Sequence, residues 1–150
     1  MSEKIKYLIE KIDDIKCKDY IIKKCSDGKF CDYVNMKEYD AFLWKIHNKG
    51  NFYALKIDKD FVGYCVVYMN DTISKIAYIT AISVDWSYQG FGVGSRLIKH
   101  IISEAKNNLF KYIKLEVNND NIKAIEFYKK CGFNVHEKAS NTSYYYYLKL

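Results

Sequence analysis

Apolar residues recur along this chain with two different periods. At Ile5, Leu8, Ile9, Ile12 and Ile15 they share one stripe at helical spacing, which predicts an amphipathic first helix over residues 3–16. Residues 17–35 are mixed, with a turn expected over Ser26 to Lys29, and Met36 to His47 reads as a second helix ended by Gly50. The period then shortens. Residues 51–57 and 61–69 are rich in β-branched and aromatic side chains and are separated by a few polar residues, as in a hairpin, and residues 75–84 add a third strand after the turn at Asn70-Asp71.

A glycine-rich turn follows, YQGFGVGSR, from Tyr88 to Arg96. Beyond it Leu97, Ile98, Ile101, Ile102 and Ala105 form another helical stripe, which stops near Asn107-Asn108. Residues 112–117 read as a short strand, Asn118 to Asn121 offer helix caps, and the helix that they open ends with Gly132 at its C′ position. FNVHEK and SYYYYLKL close the chain, the latter as a strand. Helices, a meander of antiparallel strands, then strand, helix, strand, helix, strand, strand describe an α+β domain with a mixed sheet. No repeat or linker divides the 150 residues, so a single domain over 1–150 is expected.

Composition narrows the function. The net charge of +6 could suit nucleic acid, but the lysines are scattered from Lys4 to Lys149 without a tract, so no nucleic-acid partner is expected. Tyr144 to Tyr147 could stack bases, yet alternate strand residues face opposite ways, and strand filling is the better account. No apolar run approaches the roughly 18 residues of a membrane span, and the charged start lacks a secretory signal. A cytoplasmic protein with no membrane partner is expected. The five cysteines form no CxxC pair and have no histidine at metal spacing, so free thiols and no metal site are expected.

The glycine turn is the strongest chemical signal. A glycine loop between a strand and a helix offers backbone N–H groups and the positive end of the helix dipole to an anion, and the lack of Cβ atoms permits close approach. Phosphate is the natural ligand. A Walker loop fails for want of its lysine, and a dinucleotide fingerprint half fits at Gly92 and Gly94, with Leu97 where the third glycine belongs and Glu116 near the acidic position. Arg96, the one arginine among 24 basic residues, follows the turn where a planar donor suits phosphate.

The string ISVDWSYQGFGVGSRLIKHII resembles the acyl-CoA-binding segment of the GNAT superfamily of N-acetyltransferases, whose Q/R-x-x-G-x-G/A turn matches at Gln89, Gly92 and Gly94. LEVNNDNIKAIEFYKKCGF, residues 115–133, is similar to the family's next strand, asparagine turn and helix. Together with the meander, the resemblance covers roughly residues 50–150. It implies a twisted, mostly antiparallel sheet with flanking helices, and acyl-CoA bound at a splay between the middle strands. It further implies that acetyl-CoA lays its diphosphate on the amides of Gly90, Phe91, Gly92, Val93, Gly94 and Ser95, and its pantetheine arm along Ile82, Ser83 and Val84. Asn121 matches a coenzyme-contacting asparagine and Tyr128 the tyrosine beside the thioester sulfur. Seven residues apart, they share a helix face.

The implied reaction moves an acetyl group to a primary amine. A small amine such as an amino sugar or amino acid derivative is the first expectation, a protein N-terminus or lysine the second, and a non-catalytic acyl-CoA-binding module the third. Either a monomer or a homodimer would serve. Where the family often carries a carboxylate base, Ile76, Tyr78 and Thr80 stand, and Glu116 is the nearest acidic residue. Trp86 occupies a position where proline is common in the family. His47, His100 and His136 fit no catalytic arrangement, and Tyr33, Tyr39, Phe42 and Trp44 are candidates to line the acceptor pocket.

Overall fold

A computed structural model describes residues 4–26 and 36–150. Its elements are β1 (Tyr7–Ile12), α1 (Ile15–Cys25), α2 (Met36–Lys49), β2 (Asn51–Ile57), β3 (Asp60–Tyr68), β4 (Ile76–Val84), a 3₁₀ turn (Trp86–Tyr88), α3 (Val93–Asn107), β5 (Tyr112–Asn118), α4 (Ile122–Lys130), β6 (Asn134–Lys138) and β7 (Ser143–Lys149). The strands form one sheet in the order β1-β2-β3-β4-β5-β7-β6, antiparallel everywhere except at β4–β5. This is the mixed architecture that the sequence predicts. Among the described residues no helix is long and apolar enough to cross a membrane.

The front of the chain departs from expectation. Instead of a helix over 3–16, Tyr7–Ile12 pairs with all of β2, from Tyr7 opposite Ile57 to Ile12 opposite Phe52, and the helix begins at Ile15. The apolar stripe has helical rather than strand spacing, and ladder bonds to a distant strand override that local preference. Tyr7 and Ile9 pack on one face of the sheet, while Ile12 is buried on the other. The helix start carries its own signal, since the Asp14 carboxylate accepts from the Cys17 N–H at 2.9 Å as an N-cap. The turn expected at Ser26 to Lys29 lies mostly outside the described residues.

Each sheet face has a core. Val93, Leu97, Ile98, Ile101 and Ala105 of α3 and Tyr128 of α4 pack with Tyr53, Leu55 and Val67 on one face. Ile21, Ile22 and Cys25 of α1 and Tyr39 and Ile46 of α2 pack with Phe52, Tyr64 and Val66 on the other. Strand β4 changes alternation between them: Val66 opposes Ala81 and Val67 opposes Ile79, leaving Thr80 as a bulge. Ala77 and Ile79 therefore face the α3 side before the bulge, and Ile82 and Val84 do so after it. In β7 the tyrosines divide as alternation requires, with Tyr144 and Tyr146 against the core and Tyr145 and Tyr147 beside Lys114 on the opposite face.

Candidate active site

The splay follows from the ladder. Strand β4 pairs with β5 only at Ile76, Ala77 and Tyr78, and beyond Tyr78 it is held by β3 alone. The edge of Ile79–Val84 is thus open toward β5. Asp85 ends the strand: its N–H donates to Val62 O at 2.8 Å, and its buried carboxylate accepts from the Ser87 N–H at 3.0 Å. The chain then makes its 3₁₀ turn, with Trp86 exposed, and reaches Gln89 in extended conformation.

Two glycines shape the turn by conformation and one by proximity. Gly90 (φ 88°) and Gly92 (φ 76°) are left-handed, and a Cβ on either would meet nothing within 4 Å, so the space above them is open. Gly94 is needed for contact, because a Cβ there would lie 3.1 Å from Phe127 Cζ. Helix α3 makes its first hydrogen bond from Arg96 N–H to Gly92 O, 3.1 Å. The N–H groups of Gly90, Gly92, Val93, Gly94 and Ser95 donate to no other group among the described residues, whereas the Phe91 N–H is used by Tyr88 O. Five donors at a helix N-terminus suit a diphosphate.

A cleft of about 560 Å³ joins turn and splay. Ile82, Ser83 and Val84 line it from β4, and Gln89, Gly90, Gly92, Val93, Gly94 and Ser95 from the turn. Asn121 and Tyr128 line it from α4, so the structure brings eleven of the thirteen sequence-selected residues together. Sequence reasoning passed over Tyr88, Lys123, Ala124 and Phe127, which also line it. The adjacency of Phe127 to Gly94 leaves no signal in the sequence and emerges only in the fold.

Phe91 and Arg96 are the two that stand outside the lining. The Phe91 carbonyl accepts from Tyr7 Oη at 2.9 Å, and the Arg96 guanidinium lies 3.7 Å from the Tyr7 ring centroid. Strand β1, at the far side of the sheet, thereby clasps the turn through one tyrosine.

Asn121 caps α4, its side-chain oxygen accepting from the Ala124 N–H at 3.2 Å, which leaves its NH₂ group for a ligand. Tyr128 is 8% exposed, held by Phe133 and Phe127 at ring distances of 5.7 and 5.2 Å, and its hydroxyl bonds to no described side chain or backbone group. Burial pushes its phenol pKa well above the usual value. The group stays a proton donor at neutral pH.

Among the described residues no carboxylate lines the cleft. Glu116 is exposed and its Oε2 accepts from Ser143 Oγ at 2.7 Å. Ile76 and Tyr78 line a second pocket, and Thr80 sits in the bulge. The histidines are engaged elsewhere: His47 Nδ1 lies 3.0 Å from Lys18 Nζ, His100 pairs with Glu104 at 3.7 Å, and His136 packs on Tyr147 at 4.6 Å. Among the aromatic residues proposed for an acceptor pocket, Tyr39 is instead buried in the α1–α2 core, donating to Asp19, because its helix face turns to the sheet. Phe42 packs against that core, Trp44 is exposed, and Tyr33 lies outside the described residues.

The chain is similar to known proteins. The chain is 32% identical over 83 residues to the streptothricin acetyltransferase of Escherichia coli, covering 55% of this chain and 47% of that one. A Bacillus anthracis protein described as a streptothricin acetyltransferase and crystallised with acetyl coenzyme A is 32% identical, with a TM-score of 0.61 over 68% of this chain and 63% of that one. The PaiA N-acetyltransferase of Thermoplasma acidophilum, in complex with coenzyme A, shares the fold, with a TM-score of 0.76 at 15% identity over 97% of this chain and 100% of that one. The chain spans about half the length of the curated relatives it matches, 45%, 47% and 54%. A sequence model of the acetyltransferase (GNAT) family matches residues 10–133, which takes in the splay, the glycine turn and the Asn121–Tyr128 helix face. The chain belongs to the GNAT family of acetyltransferases.

Proposed function

We propose that this protein transfers the acetyl group of acetyl-CoA to the primary amine of a small molecule. The observation that carries this reading is the open edge of β4 running into five undonated N–H groups, two of them on left-handed glycines whose Cβ side is empty. Acetyl-CoA would supply an activated thioester. The amides of Gly90 and of Gly92–Ser95 would hold its diphosphate, and the unpaired edge at Ile82–Val84 would take an extended arm as an added strand. The cleft is apolar toward Phe127 and Tyr128, so it would exclude water from the reacting end.

Tyr128 would donate from its buried phenol to the sulfur that leaves, and Asn121 would orient the arm with its free NH₂ group. The acceptor must arrive as a neutral amine. With no carboxylate among the described residues of the lining, its proton would go to solvent. The test is free-thiol release from acetyl-CoA against a panel of amines, with the acetylated product identified by mass. Thiol release dependent on a small amine supports the reading. Saturable coenzyme binding with no acetylated product would make the protein an acyl-CoA-binding module, and acetylation of peptides alone would move the acceptor to protein.

A further inference from the structure

Where the β4–β5 ladder ends, on the face opposite α3, a second pocket of about 310 Å³ opens between the end of α2 and the sheet. Its wall is a cross-strand pair of tyrosines, Tyr68 and Tyr78, whose rings lie 6.5 Å apart and within 10° of parallel. Lys49 reaches it from α2 and Lys114 from β5. A volume of this order holds part of a small molecule rather than a macromolecule.

The charges that face it are unequal. Lys45 stands 5.7 Å from the Tyr68 ring centroid, and Lys114 stands 3.9 Å from that of Tyr145, so cations already occupy aromatic faces here. None of Lys45, Lys49 and Lys114 is ion-paired among the described residues. Asp71 also lines the pocket, but its carboxylate is taken up by the Ser74 hydroxyl and the N–H groups of Ile73 and Ser74. Glu116, two residues beyond Lys114, is bonded to Ser143. The lining carries Lys49 and Lys114, with Lys45 beside Tyr68, against one carboxylate, Asp71, which keeps its charge while its oxygens are engaged, and Glu116 acts on Tyr78 from β5. The balance stays positive, and an anionic ring would find both a flat apolar wall and two ammonium groups.

Resting on the acetyl-transfer reading, we infer that this pocket holds the anionic aromatic end of the acceptor, a ring bearing a carboxylate, while the amine extends along β4 to the splay. Ile82, the cleft residue nearest to Tyr78 along β4, is four residues away, roughly 13 Å at the rise of a strand. The acceptor amine therefore lies within about that distance of its carboxylate.

Two measurements test the assignment independently of one another. The first is titration calorimetry with 4-propylbenzoate, which lacks an amine, in the absence of acetyl-CoA. Binding to the parent that weakens at least tenfold in Lys49→Gln/Lys114→Gln, with coenzyme affinity retained as the check on folding, supports the pocket. The second compares kcat/KM for 4-(3-aminopropyl)benzoate and its uncharged benzamide, with at least a tenfold preference for the carboxylate expected in the parent and its collapse in the double variant. Transfer without that preference overturns the inference and leaves the acetyltransferase reading standing. Binding of 4-propylbenzoate without transfer to any amine upholds the anion pocket and overturns the transfer reading. No binding of 4-propylbenzoate at millimolar concentration overturns the pocket.

Discussion

At its Val84 end strand β4 offers a ligand its backbone, while at its Tyr78 end it offers side chains. The cleft depends on an absence of ladder partners beyond Tyr78 and on N–H groups freed by left-handed glycines. The pocket beside Tyr78 depends on which ring and which ammonium two strands and a helix happen to bring to one face. Backbone recognition asks little of sequence except glycine at fixed positions, and an acyl carrier common to many reactions can be held that way. Side-chain recognition is local to one protein, which is why the inferred acceptor pocket lies at the Tyr78 end.

The comparison breaks first at the turn. Gly92→Asp places a carboxylate among the undonated amides, and coenzyme binding should disappear in calorimetry, while the left-handed strain costs only about 1–2 kcal/mol of stability. Retained affinity would show that the diphosphate lies elsewhere. Next comes Tyr128→Phe, which keeps the ring packing and removes the donor. Single-turnover acetylation should fall about 10²–10⁴-fold with coenzyme affinity nearly unchanged, and a rate equal to the parent's would remove the general-acid role.

Smaller effects sharpen the contrast. Because no carboxylate of the described residues lines the cleft, kcat/KM for an alkylamine of ordinary pKa should rise about tenfold per pH unit between pH 7 and 9. Burial raises the Tyr128 pKa, so the required protonated phenol persists over that range and no falling limb appears. A plateau beginning near neutrality would reveal a base. Arg96→Ala should weaken coenzyme A by about 1–3 kcal/mol if the guanidinium turns from Tyr7 to a phosphate, and equal losses for a pantetheine thioester would make it purely structural. Last, Tyr7→Phe removes one exposed hydrogen bond to Phe91 O while keeping the ring under Arg96. A loss of about 0.5–1.5 kcal/mol in coenzyme affinity is expected, and none if the clasp does not hold the turn.

Local or strongly periodic features were legible in the sequence: the β2–β4 meander, the α3 stripe, the glycine turn between strand and helix, the helix cap among Asn118 to Asn121 and the spacing that puts Tyr128 on the face of Asn121. Each of these follows from constraints within a few residues. Tertiary structure alone decided the rest. Tyr7–Ile12 became a strand because β2 offered a free edge, Thr80 became a bulge because β3 and β4 differ by one residue, and Arg96 met Tyr7 across 89 positions of chain. The physical reason is that ladder bonds and ring contacts between distant segments contribute as much as local propensity does, while leaving no periodic trace in either segment taken alone.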